Sequence, residues 1–166
     1  MKFHLVDRIE SIEPGKGIVT VKALSLAEEY LADHFPAFPV MPGVLMLEAM
    51  VQSAAWLLRV QQDFSRSIIV LKAARNVRYA SFVQPGKSLR CEVEAIEMGQ
   101  EAAKFKAAGF VDQLQTVSAR LELSCFNLAD RQERLADADR AIIKQLKQRF
   151  KLIGGPAALA EQAAGR

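Results

Sequence analysis

Residues 43–62 read GVLMLEAMVQSAAWLLRVQQ. On a helix, the apolar side chains of this stretch fall on nearly every face, and Glu48 is the only ionisable residue between His34 and Arg59. A helix that is apolar all round belongs inside a core rather than on a surface. Pro42, just ahead, suits a helix's first turn: its φ is preset, and the N–H it lacks would have had no intrahelical partner. Met41, Met46 and Met50 read as adaptable core filler. A buried helix needs a cover, and the flanking sequence has to supply it.

Upstream, residues 3–13 alternate loosely as a strand, 14–17 (Pro-Gly-Lys-Gly) form a turn, and 18–24 alternate as a second strand. Gly15 and Gly17 lack the rest of a phosphate-binding loop. Residues 25–32 suit a short helix, with Ser25 as N-cap and Glu28 three residues on. Residues 33–42 hold Pro36, Pro39 and Pro42, which rules out a regular helix or a central strand and leaves a stiff extended loop. Downstream, 68–74, 77–83, 89–96, 103–111 and 117–126 read as strands. In the last, Val117, Ala119, Leu121, Leu123 and Cys125 alternate with polar residues, so one sheet face is buried.

The class is therefore α+β, an antiparallel sheet wrapped around one long central helix. Open sheet edges would favour pairing with a second copy. Residues 137–153 return to helical spacing, with Ile142, Leu146 and Phe150 on one row beside a basic face. Gly154-Gly155-Pro156 stops this helix, and the alanine-rich 157–166 reads as frayed or loosely helical. The expected division is a main domain over 1–130 and a C-terminal helical extension over 131–166. The extension's apolar row is expected to pack on protein rather than lie on an anionic membrane.

Composition narrows the function. With 166 residues and 51% hydrophobic content, the chain can bury a sizeable core. A formal charge of +3 and a pI near 9.0 help attract an acidic partner without making a nucleic-acid signature. No apolar run reaches the roughly 20 residues of a membrane span, and the N-terminus lacks the pattern of a secretory signal. Cys91 and Cys125 have no metal-ligand spacing and fit a reducing cytoplasm.

Of the two histidines, His4 falls in the first strand and His34 at the mouth of the proline loop. A neutral imidazole is well suited to take a proton near neutral pH. Glu48 sits among apolar neighbours, and a carboxylate buried there either finds a partner or has its pKa raised, as a proton donor requires. Gly43 opens the helix, where backbone N–H groups lack intrahelical acceptors and the dipole is positive, an arrangement that polarises a carbonyl oxygen. Base, acid and polarising N–H are the three roles needed to remove a proton beside a carbonyl and expel a β-hydroxyl.

The stretch from His34 to Gln52, HFPAFPVMPGVLMLEAMVQ, closely resembles the signature of the beta-hydroxyacyl-[acyl-carrier-protein] dehydratases of fatty acid synthesis, the FabZ/FabA group, whose pattern is approximately HFPGxPVMPGVLxxEAxxQ. The resemblance continues more weakly through 74–79 and 83–89 and covers roughly residues 3–127. It implies a hot-dog fold, a homodimer that in the family often assembles into hexamers, and active sites at the dimer interface. His34 of one protomer would face Glu48 of its partner, Gly43 would offer its N–H to the thioester carbonyl, the carbonyl of Val44 would orient His34, and Gln52 would support the glutamate. Glutamate at 48, where the double-bond-isomerising subgroup has aspartate, matches the dehydratase-only type.

Two positions depart from the pattern. Ala37 stands where glycine is usual, and Phe38 occupies a variable position often filled by histidine. A positive φ at 37 would be strained for alanine. The implied activity is a lyase converting a (3R)-3-hydroxyacyl thioester on acyl carrier protein to a trans-2-enoyl thioester, without cofactor or metal. Lys72, Arg75, Arg78 and Lys87 are candidates for docking the acidic carrier. A hot-dog thioesterase and a catalytically silent acyl-binding module are the alternatives.

Overall fold

A computed structural model describes residues 3–164, with side chains through 161. The elements run β1 (Arg8–Glu13), β2 (Gly17–Ala23), α1 (Gly43–Gln61), β3 (Ile68–Tyr79), β4 (Ser88–Met98), β5 (Ala102–Val111), β6 (Leu114–Phe126), α2 (Ala136–Leu152) and α3 (Gly155–Ala164). The strands form one antiparallel sheet in the order β1-β2-β4-β5-β6-β3.

The alternation in β4, β5 and β6 turns Leu89, Phe105, Leu121 and Leu123 inward, where they are buried together with Met50, Leu57 and Leu58 of α1. Each such side chain, fully buried, contributes about 1.5–3 kcal/mol before entropy is counted. The sheet wraps the helix as the hot-dog resemblance implies. By length and hydropathy α1 alone would pass as a membrane span, and its packing inside the sheet accounts for that composition. One buried polar pair interrupts the apolar contact: Ser53 Oγ lies 2.6 Å from Thr20 Oγ1 and donates to the Ala49 carbonyl at 2.7 Å.

Several local features differ from the sequence reading. Strand β1 begins at Arg8, so His4 is not in a strand. Residues 3–7 instead run across α1, where the Leu5 N–H donates to Gln52 Oε1 at 2.9 Å. The 25–32 segment makes only a 3-10 turn over Glu29–Leu31. Its Ser25 Oγ accepts from the Ala27 N–H, but Glu28 is drawn away to the buried Lys22 ammonium, 2.6 Å distant, which also meets Asp7 at 3.2 Å. A buried ammonium needs that partner more than a helix needs its capping box. Residues 68–79 are one strand with two register shifts, the second beside Asn76 at φ 53°.

The C-terminal segment is better ordered than its composition suggests. Gly154, at φ 83°, ends α2. A Cβ at Gly155 would come within 2.3 Å of the Phe150 ring, so only glycine fits there. Helix α3 follows and packs on β1, one of the two sheet edges, with the Ile9 N–H donating to the Ile153 carbonyl at 2.8 Å. Residues 165–166 lie outside the described residues.

Helix α2 packs on protein through Phe150, while Ile142 and Leu146 of the expected row are only half-buried. Phe150 is 6% exposed, with ring centroids 5.8 Å from Trp56 and 5.4 Å from Phe64. Near its start, the buried Asp139 carboxylate accepts the N–H groups of Leu128 and Ala129, both at 2.9 Å, and the Ser67 hydroxyl. It thereby ties α2 to the end of β6 and the start of β3. Burial works to raise the Asp139 pKa, but these three hydrogen bonds outweigh it and hold the carboxyl below its ordinary value.

A depressed folded pKa means stability that is present above the unfolded value, about 4 for aspartate, and is lost as the pH falls through the lower folded value. Asp139→Asn should therefore melt below wild type at neutral pH. The gap between the two proteins should close as thermal melts are taken below about pH 4. A gap that stays constant down to pH 3 would show that the charge on Asp139 is not what anchors α2.

Candidate active site

Glu48 lies one and a half turns into α1, half-buried, on the face turned toward residues 3–7. Its Oε1 accepts a 2.9 Å hydrogen bond from Gln52 Nε2, one helical turn on. Gln52 is used at both ends: its Nε2 also donates to the Phe3 carbonyl at 3.0 Å, while its Oε1 receives the Leu5 N–H. Gln52 thus bridges the Glu48 carboxylate to the N-terminal segment. Glu48 therefore has a hydrogen-bonding partner in its half-buried position.

A cavity of about 470 Å³ opens beside Glu48. Val51, Ala55, Trp56 and Ile69 give it apolar walls, and Phe3 and His4 stand at one side. Sequence reasoning missed most of this lining. Glu48, Gln52, Ala55 and Arg59 follow i, i+4, i+7, i+11 spacing, and that stripe was available in the sequence. The contributions of residues 3–4 and of α2 required the fold.

His34 does not line that cavity within one chain. It sits half-buried on the proline loop, its ring 4.5 Å from that of Phe35. Phe35 takes the left-handed conformation at φ 49°, and Ala37 is not among the positive-φ residues. The left-handed position of this loop is thus Phe35, in a region that non-glycine residues seldom occupy. The loop does not need a positive φ at 37, so alanine is not strained there.

Gly43 and Val44 open α1, where their N–H groups precede the first possible intrahelical acceptor. A Cβ at Gly43 would meet the Tyr79 ring at 3.0–3.3 Å, so the glycine lets β3 approach the helix start. Val44 is 69% exposed, and with Phe35, Phe38, Phe82 and Tyr79 it forms a broad exposed apolar surface around the loop. Phe38 packs edge-on against Phe82, with centroids 5.7 Å apart. This surface adjoins β3, the sheet edge opposite β1, where Val70 and Leu71 are also exposed.

The four candidate docking cations divide into two kinds. Lys72 pairs with Glu122 at 2.7 Å and Lys87 with Asp112 at 2.5 Å. Arg75 and Arg78 are exposed on β3, and Arg75 faces Arg120 across the ladder to β6, a like-charged juxtaposition.

Comparison with known proteins places the chain in a family. A FabA-like domain profile matches residues 1–120. The chain is 42% identical over 126 residues to a 3-hydroxyacyl-[acyl-carrier-protein] dehydratase FabZ of Albidiferax ferrireducens, spanning 74% of this chain and 83% of that protein. It is 34% identical over 119 residues to the FabZ of Clostridium kluyveri, spanning 72% and 83%. Among solved structures, the dehydratase heterocomplex ApeI:P from Xenorhabdus doucetiae has a similar fold, with a TM-score of 0.66 at 15% identity over 81% of this chain and 90% of that one. On the matched length, the shared fold and the FabZ relatives together, this chain belongs to the FabA-like family of hot-dog proteins.

Proposed function

We propose that the chain is a 3-hydroxyacyl-[acyl-carrier-protein] dehydratase that works as a homodimer with composite sites in the cytoplasm. The observation that carries this reading is the placement of Glu48: a carboxylate aimed into a cavity by Gln52, on a helix whose N-terminal glycine belongs to the FabZ-like signature. The open β3 edge, with its exposed apolar rim, supports pairing with a second copy. That pairing would bring His34 of one protomer to Glu48 of its partner.

In such a site the thioester carbonyl accepts the N–H of Gly43, which acidifies the neighbouring C–H. The imidazole of His34, oriented by the Val44 carbonyl, takes the proton from C2. The electron pair becomes the C2–C3 double bond as the C3–O bond breaks. The protonated Glu48 gives its proton to the departing hydroxyl, which leaves as water. A proton then passes from the imidazolium to the carboxylate through solvent and resets the pair. No oxidant, metal or cofactor enters the balance. Arg75 and Arg78, exposed on β3 beside this edge, suit an acidic carrier protein that presents the thioester.

His34→Ala and Glu48→Gln should each lower turnover of a 3-hydroxyacyl carrier substrate by about 100-fold or more, the usual contribution of one positioned acid or base. The assay follows the enoyl thioester at its ultraviolet absorbance, and melting curves establish that both variants fold. Wild-type rates in either folded variant would remove that residue from the reaction. Free acid in place of the enoyl product would identify a thioesterase, and thioester binding without any product would identify a silent acyl-binding module.

A further inference from the structure

The cavity beside Glu48 has one wall that the family match does not include. The FabA-like match ends at residue 120, and α2 begins at Ala136. Yet Ile142 and Leu146 of α2 line the same cavity as Glu48. They lie at i and i+4, on one face of the helix. We infer that α2 is the specificity wall of the acyl site, with Ile142 and Leu146 in contact with the chain of the thioester on which Glu48 acts. This rests on the dehydratase reading above for the identity of the occupant.

Three observations support the assignment. First, the cavity's volume of about 470 Å³ falls within the roughly 300–1,000 Å³ usual for small-molecule sites. Val51, Ala55, Trp56, Ile69, Ile142 and Leu146 give a hydrocarbon chain apolar contacts along it, between the polar Gln145, Arg149 and Arg59 that also line the cavity. Second, the cavity has a direction. Glu48 and Arg59 lie on one stripe of α1, about 16 Å apart at roughly 1.5 Å of rise per residue. A chain starting at the glutamate can run along Ala55 and Trp56 before it meets the guanidinium.

Arg59 makes a firm stop. It stacks over the Trp56 ring at 5.2 Å, and its Nε is buried without a hydrogen-bond partner. Burial has drawn its pKa down to about 10. Methylenes pressed against a charge already short of solvation would remove still more of it. Third, α2 is pinned at both ends, by Asp139 to β6 and β3 and by Phe150 to Trp56 and Phe64. It is a fixed wall rather than a mobile lid, so side-chain size on α2 translates into chain length accepted.

Trp56 is the sole tryptophan and lines the cavity, which supplies a readout independent of turnover. Full-length wild type, Leu146→Phe and Leu146→Ala would be titrated with 3-hydroxyacyl pantetheine thioesters of four to sixteen carbons while Trp56 emission is followed. Wild type should show saturable binding that tightens with length and then falls off. Leu146→Phe should weaken the long chains by about tenfold, the scale on which a misfit of a methylene or so is felt, while sparing the four-carbon ligand. Leu146→Ala should move the length optimum upward.

A uniform change at every length, or no length-dependent emission change in folded wild type, would overturn the assignment of α2. Length-dependent binding without any enoyl product would leave α2 as the acyl wall and refute the dehydratase reading alone. Should one variant fail to fold, the other still decides the matter.

Discussion

The structure depends on enclosing a helix that water would not tolerate. Helix α1 carries Met46, Met50, Leu57 and Leu58, all nearly inaccessible, on the side taken up by the sheet. Apolar burial is non-directional, so the helix alone does not fix what covers it. The alternation of β4, β5 and β6 supplies a continuous apolar inner face, and the helix and sheet become mutually necessary. Glu48 then stands out because it rides on the one element with little polar surface. The fold holds a carboxylate near apolar walls by attaching it to a core helix, and Gln52 supplies the hydrogen bond that makes the position tolerable.

The same enclosure leaves two sheet edges to be dealt with. Helix α3 lies against β1, while among the described residues β3 has no strand partner on the side away from β6. An unpaired edge flanked by Val70, Leu71 and Tyr79, next to exposed Phe35, Phe38 and Phe82, is a costly surface in water. Its position beside the proline loop links association to chemistry in the composite site we propose, because the loop that carries His34 sits on this rim. The left-handed backbone at Phe35 shows that the loop's path is imposed by its surroundings rather than by residue preference.

Much of the fold was legible because periodicity reports burial directly. The alternation of 117–126 and the all-round apolar character of 43–62 survive in β6 and α1 nearly residue for residue. What was not legible came from tertiary competition. Glu28 read as a capping residue because the buried Lys22 that claims it lies in another element. Residues 68–79 read as two pieces because the irregularity at Asn76 breaks the alternation without breaking the strand. The alanine-rich tail read as frayed or loosely helical, but the docking of α3 was not visible in it, because that depends on the sheet edge and on Gly155 accommodating Phe150. In the candidate site, Glu48 was readable from its apolar neighbours and Gln52 only through the family resemblance, whereas the parts played by Phe3, His4 and α2 exist only once the chain has folded.

In the composite arrangement we propose, neither chain alone holds a complete site, and mixing inactive subunits tests this. His34→Ala and Glu48→Gln proteins, each inactive, would be allowed to exchange subunits, with exchange followed by distinct tags. Each heterodimer then has one site with an intact histidine and glutamate and one site lacking both. Activity should return toward half that of wild type in proportion to the heterodimer formed. Complete exchange without any recovered activity would contradict the shared site and require His34 and Glu48 to act, if they act, within a single chain.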